Sequence, residues 1–219
     1  MAKNLYSVIL SEELVSLVDE LAKKNNTSRS NQINNILANY FSYTTMDMQI
    51  DSILGFINNM LSKNDEFQFL ENNCDRQLSV KTSLDYKYNP SLKYSIELYK
   101  NLVNDSIGDL KIIYRISSPE LRVKLERYFN YIISFESSVN PTLVKTSMYE
   151  QKFIRQFYIE QDLNFTYDEI AESITEYVNN IDRTLKKYLN DKYTTLDEFC
   201  YDYLSVYKNL PIVKGGLYD

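Results

Sequence analysis

Residues 3–10, Lys-Asn-Leu-Tyr-Ser-Val-Ile-Leu, form one short, β-branched, extended segment, and two helical patterns follow it directly. A lone strand leaves its backbone donors and acceptors without partners and is unstable in water. Nothing within the next thirty residues reads as a second strand. The economical solution is antiparallel pairing with the same segment of a second copy, the helices wrapping the ribbon into a shared core. The first constraint is therefore an obligate homodimer built at the N-terminus.

The helical patterns are well punctuated. Ser11 followed by Glu12 and Glu13 is an N-cap with acidic residues facing the positive end of the helix dipole. Leu14, Leu17, Val18 and Leu21 then make a single stripe, and Lys23-Lys24-Asn25 close a helix over about 12–25, with Asn25 as the left-handed residue. Thr27-Ser28-Arg29-Ser30 is a second start, ahead of Ile33, Ile36, Leu37, Tyr40 and Phe41 at helical spacing. The order is strand, helix, short turn, helix.

Residues 3–41 thereby resemble the ribbon-helix-helix family of DNA-binding proteins, the Arc, MetJ and CopG type. The resemblance rests on the apolar strand, on Leu-Val-Ser-Leu-Val-Asp-Glu-Leu-Ala in the first helix and on Ser-Arg-Ser at the start of the second. It implies that alternate strand residues enter the major groove while the second helix's N-terminus grips a phosphate. On this sequence Tyr6, Val8 and Leu10 would face the dimer core, with Lys3, Leu5, Ser7 and Ile9 toward the bases. Leu5 and Ile9 can contact only thymine methyls or other apolar surface. Ser28, Arg29 and Ser30 fit the phosphate role, since free helix N–H groups, two hydroxyls and a guanidinium converge on one anion.

Chemistry elsewhere is constrained by what is absent. The 219 residues contain no His, which removes imidazole-based triads, Cys-His pairs and His-ligated metals. The two cysteines, Cys74 and Cys200, cannot form a CxxC site and read as buried, reduced packing residues. No phosphate-binding glycine loop occurs. Asp168, Glu169, Glu172 and Glu176 read as a solvated face favoured by the helix dipole. The expectation is a non-enzymatic protein without cofactor or metal. No signal-like N-terminus or membrane-length apolar run is present, so a soluble cytoplasmic protein is expected. The net charge of −6 argues against coating nucleic acid non-specifically. In residues 1–45, Lys3, Lys23, Lys24 and Arg29 balance Glu12, Glu13, Asp19 and Glu20.

Met46, Ile50, Ile53, Ile57 and Met60 form a heptad-like seam, which either extends the dimer as a short coiled coil or packs on a following domain. Leu78 to Tyr88 alternate, a turn falls at Asn89-Pro90, and Leu92, Tyr94, Ile96 and Leu98 alternate again, giving a hairpin that Leu110–Ile116 would extend to a meander. Leu92, Ile96, Tyr99 and Val103 also fit a helix. Ser118-Pro119-Glu120 starts a helix with Leu121, Leu125, Tyr128, Ile132 and Phe135 inward. Further helices are read over Leu143–Gln161, Tyr167–Leu189 and Thr195–Tyr207. The twenty tyrosines read as core and rim residues in a chain without Trp.

The expected fold class is α+β: a ribbon-helix-helix head on 1–43, a helical connector on 44–65, and on 66–219 a domain with an antiparallel β-meander and a mostly helical C-terminal half. The function implied is a dimeric, sequence-specific DNA-binding protein acting as a transcriptional regulator or repressor. Two alternatives remain: a DNA-anchored adaptor in plasmid segregation or conjugation, and a protein-interaction module using the same ribbon. Expected partners are double-stranded DNA, a second copy through the N-terminal strand with higher-order assembly open, and an unidentified ligand or protein at 66–219. No membrane partner is expected.

Overall fold

The structure is a computed structural model that describes residues 5–71, 74, 76–103, 106–139, 146–149, 151–158 and 165–210. The chain divides into two compact units, residues 1–49 and 50–219. Mixed α and β structure with an antiparallel sheet is as expected.

In the first unit α1 spans Glu12–Lys24 and α2 spans Arg29–Tyr40. Both caps form as the sequence dictates: Ser11 Oγ accepts from the Leu14 N–H at 3.4 Å and Ser28 Oγ from the Asn31 N–H at 3.3 Å. The left-handed residue after α1 is Asn26 (φ 49°) and not Asn25, because Asn25 still takes near-helical angles while its N–H bonds back to Leu21. The expected strand does not form in the single chain. Residues 5–10 are unpaired, and Leu5, Tyr6, Val8 and Ile9 are each at least 74% exposed. A ribbon needs a second strand, and one copy supplies none.

The second unit begins within α3 (Met46–Leu61). Here the outcome differs from the expected connector over 44–65: Ile50, Ile53, Leu54, Ile57 and Leu61 are buried in the core of residues 50–219. Of the two readings of the seam, packing on the following domain is the one observed.

Six strands follow: β1 (Gln68–Leu70), β2 (Gln77–Ser83), β3 (Ser91–Val103), β4 (Ser106–Tyr114), β5 (Thr146–Tyr149) and β6 (Lys152–Tyr158). They form one antiparallel sheet in the order β1-β2-β3-β4-β6-β5. The meander is present, and the helical alternative for Leu92–Val103 is not. Strand β2 ends at Ser83, short of Tyr86 and Tyr88, because the chain turns through positive φ at Tyr88 and Asn89. At Gly108 a Cβ would collide with the Glu97 carbonyl oxygen, so the β3–β4 register requires glycine there.

The helix expected over Leu143–Gln161 is corrected: its described residues are the hairpin β5–β6, and 140–145 and 159–161 lie outside the described residues. Phe153 and Phe157 alternate inward with period two, and Arg155 takes the inward position between them.

Helices α4 (Pro119–Val139), α5 (Tyr167–Leu189) and α6 (Leu196–Tyr207) complete the unit. Their apolar stripes share one core with Val80, Tyr94, Ile96, Leu110, Ile112 and Phe153, the residues of a single sheet face. Aromatic rings dominate it: Phe129 stacks between Tyr114 and Phe153 at 5.5 and 4.8 Å, and Phe199 stacks on Tyr128 at 5.4 Å. The tyrosines divide between core and surface, with Tyr94, Tyr114, Tyr128, Tyr177, Tyr203 and Tyr207 buried and Tyr6, Tyr40, Tyr43, Tyr88 and Tyr201 exposed, and the four α5 carboxylates start an exposed face on which Glu169 closes a capping box with Thr166. Cys74 and Cys200 are free, but half-buried rather than buried. No helix among the described residues is long and apolar enough to cross a membrane.

Candidate nucleic-acid interface

The geometry of the first unit places the phosphate candidates together at the start of α2. Ser28 is the N-cap, and Arg29 and Ser30 open the first turn, so their backbone N–H groups have no helical acceptor. Asn31 N–H already bonds Ser28 Oγ. Arg29 is not free to reach outward: its Nε and Nη2 each donate to the Asp19 carboxylate at 2.6 Å in a two-pronged pair. These hydrogen bonds hold the Asp19 carboxyl below its usual range and raise Arg29. Sequence reading missed Asp19, ten positions upstream. The available signal was its place on α1 one turn before Lys23.

Of the residues expected to face bases, Leu5, Ser7 and Ile9 are exposed, and Lys3 lies outside the described residues. The intended core side is exposed too: Val8 at 74% and Leu10 at 39%. Burial in one copy therefore does not distinguish the two faces of the strand.

The apolar stripes of α1 and α2 are likewise uncovered. Leu14, Leu17, Leu21, Ile36 and Leu37 are all exposed, and only Ala22, Gln32 and Ala38 are buried in the two helices. Inside, the Asn25 amide donates to Gln32 Oε1 at 3.0 Å. Local structure is complete here while the hydrophobic burial that stabilises helices is missing, since helices of this length are marginal alone.

The second unit offers a different kind of site. A cavity of about 490 Å³ is lined by the end of α3 and by α5 residues Asn179, Asp182, Arg183 and Lys186. Three of its charges, Lys186, Asp182 and Glu66, satisfy one another. Lys186 Nζ lies 2.6 Å from Asp182, 2.7 Å from Glu66 and 2.8 Å from Thr82 Oγ1. Tyr94 OH donates to the other Asp182 oxygen at 3.1 Å. Burial raises the Asp182 carboxyl against these bonds, whereas on Lys186 the bonds outweigh burial and hold it above its usual value.

Beside it Asp202 gathers Arg183 on both oxygens at 2.8 Å, Lys187 at 3.0 Å and Tyr193 OH at 2.6 Å. Partial burial works to raise this carboxyl, but the three donors prevail and bring it to about 2. A depressed carboxylate contributes stability that is fully present above its unfolded value, about 3.9, and lost as pH falls toward about 2. Thermal melts should therefore show Asp202→Asn below the parent at pH 5, with the gap closing between pH 4 and 2. A gap that does not change over that range would remove the linkage.

No family model, curated protein or solved structure matches the chain. Among the described residues no group of His, Cys, Asp and Glu is arranged to hold a metal ion.

Proposed function

We propose that the chain is a dimeric DNA-binding protein, a transcriptional regulator whose N-terminal segments pair across a two-fold axis into a β-ribbon that enters the major groove. One observation carries the reading. Segment 5–10 and the apolar stripes of α1 and α2 lie uncovered in a single copy, although every cap and turn between them is formed. A second copy supplies both the missing strand and the missing core, and pairing two such segments antiparallel satisfies their backbones.

In the dimer Tyr6, Val8 and Leu10 turn inward, and Lys3, Leu5, Ser7 and Ile9 face the bases. Ser28, Arg29 and Ser30 meet a backbone phosphate through the N-terminus of α2. The Asp19 pair gives Arg29 a second role. Arg29 exchanges part of its hold on Asp19 for the phosphate, so Asp19 tunes the strength of non-specific binding.

Duplex titrations at several salt concentrations test this directly. Arg29→Ala removes one phosphate contact from each copy, so it should weaken binding to all sequences alike and lower the salt slope by about two. Asp19→Asn should do the opposite, tightening binding on cognate and scrambled duplexes together. A change confined to sequence preference in either variant would contradict the phosphate role.

A further inference from the structure

The sheet of the second unit packs helices against one face, and its other face carries a row of lysines. Lys81 pairs directly with Lys93 across β2 and β3, and Lys93 continues through Ile113 on β4 to Lys152 on β6. The neighbouring residues Val80, Tyr94, Ile112 and Phe153 are buried in the core, so the row lies on the opposite face. Strands are about 5 Å apart, which separates Lys81 from Lys93 by that distance and Lys93 from Lys152 by about 10 Å.

Like charges directly opposite each other destabilise a sheet. None of the three lysines has a carboxylate partner among the described residues, and all are partly exposed. The contrast lies on the same face. Lys111 sits 2.8 Å from Glu97 and 3.4 Å from Asp109, whose other oxygen accepts from Tyr99 OH at 2.6 Å. One end of the face is thus internally neutralised and the other is not. Exposed Lys87 in the β2–β3 turn and Arg115 just after β4 lie at the unneutralised end, against Asp85 alone among the described carboxylates of that turn. Glu150, between β5 and β6 in sequence, lies outside the described residues.

We infer that Lys81, Lys93 and Lys152 form a nucleic-acid contact belonging to the second unit, binding the phosphate backbone of duplex DNA. The inference rests on the DNA-binding reading for its choice of polyanion. Charge argues for it as well. The head sums to zero and its Arg29 is tied to Asp19, so the long-range attraction that a chain of net charge −6 needs must come from a local basic surface. A flat row of ammonium groups without base-reading side chains between them suits backbone contact, which strengthens affinity without adding specificity.

The test uses the full chain with Lys81, Lys93 and Lys152 all changed to Gln, and a second triple variant with all three changed to Arg. Anisotropy titrations on a labelled duplex at several salt concentrations give the slope, with thermal melts as the control for folding. The Gln variant removes three contacts from each copy, six per dimer, so it should lower the salt slope by about 5, at roughly 0.9 per phosphate contact, and weaken cognate and scrambled duplexes equally. The Arg variant should keep the parent's slope. An unchanged slope in a folded Gln variant overturns the inference and leaves the head reading standing. Binding that depends on the three lysines but is indifferent to Val8→Ser in the head has the opposite meaning: the inference holds and the ribbon reading fails. If the parent binds no duplex and the Gln substitutions instead reduce self-association in sedimentation, the row meets a second copy and the inference is overturned.

Discussion

Replacing Glu136 with Ala should destabilise the second unit by about 3–5 kcal/mol, the usual result of leaving one member of a buried ion pair without its partner. Glu136 and Arg155 are both fully buried, with Arg155 Nε 2.6 Å from Glu136 Oε2. The other carboxylate oxygen accepts from Tyr177 OH at 2.7 Å and Tyr203 OH at 2.5 Å, and Tyr207 OH accepts from Arg155 Nη2 at 3.2 Å. This network ties β6 to α4, α5 and α6. Because the charge is compensated only as a set, the double variant Glu136→Leu with Arg155→Met should be far closer to the parent than Glu136→Ala. Urea unfolding of the three chains checks it. Equal losses in the single and double variants would show that packing, and not the unpaired guanidinium, sets the cost.

The second large effect falls on the strand. In the proposed ribbon Val8→Ser would put a hydroxyl into the core of each copy, at a cost of about 1–3 kcal/mol per buried group, so on this reading the dimer should dissociate at concentrations where the parent does not. Ser7→Val keeps β-propensity and the dimer but removes the polar group between Leu5 and Ile9. It should cost about 1–3 kcal/mol of specific affinity and leave non-specific binding almost unchanged. The two neighbours test register, since a shift of one residue exchanges the faces. Sedimentation and duplex titration together separate the outcomes. Ser7→Val breaking the dimer while Val8→Ser spares it would invert the face assignment.

What could be read from the sequence was what is encoded locally. Ser11, Ser28 and Ser118-Pro119 each mark a helix start that forms where the cap requires it, and α5 spans the expected residues Tyr167–Leu189. The meander followed from strict alternation in β2 and β3. The hairpin β5–β6 was missed because an arginine stands at an inward position between Phe153 and Phe157, which breaks the apolar period. Its counter-ion, Glu136, lies nineteen residues away on α4, and no local pattern announces such a pair. The three-residue strand β1 is too short to leave a periodic signal. In the head, Ser28, Arg29 and Ser30 were legible as a helix start, while the hold of Asp19 on Arg29 depends on how α1 and α2 pack. The lysine row was present in the alternation as the outward positions Lys81 and Lys93. Their adjacency depends on strand register, which the sequence alone left open.

The central claim, a two-fold ribbon reading duplex DNA, is tested most directly by selecting duplexes from a random-sequence pool with the full chain and sequencing those retained. A symmetric dimer reads symmetric half-sites. The account predicts enrichment of a short motif with two-fold symmetry, lost in Val8→Ser and weakened without change of sequence in Arg29→Ala. A retained pool with no enriched motif, or a motif without symmetry that survives Val8→Ser, would contradict it.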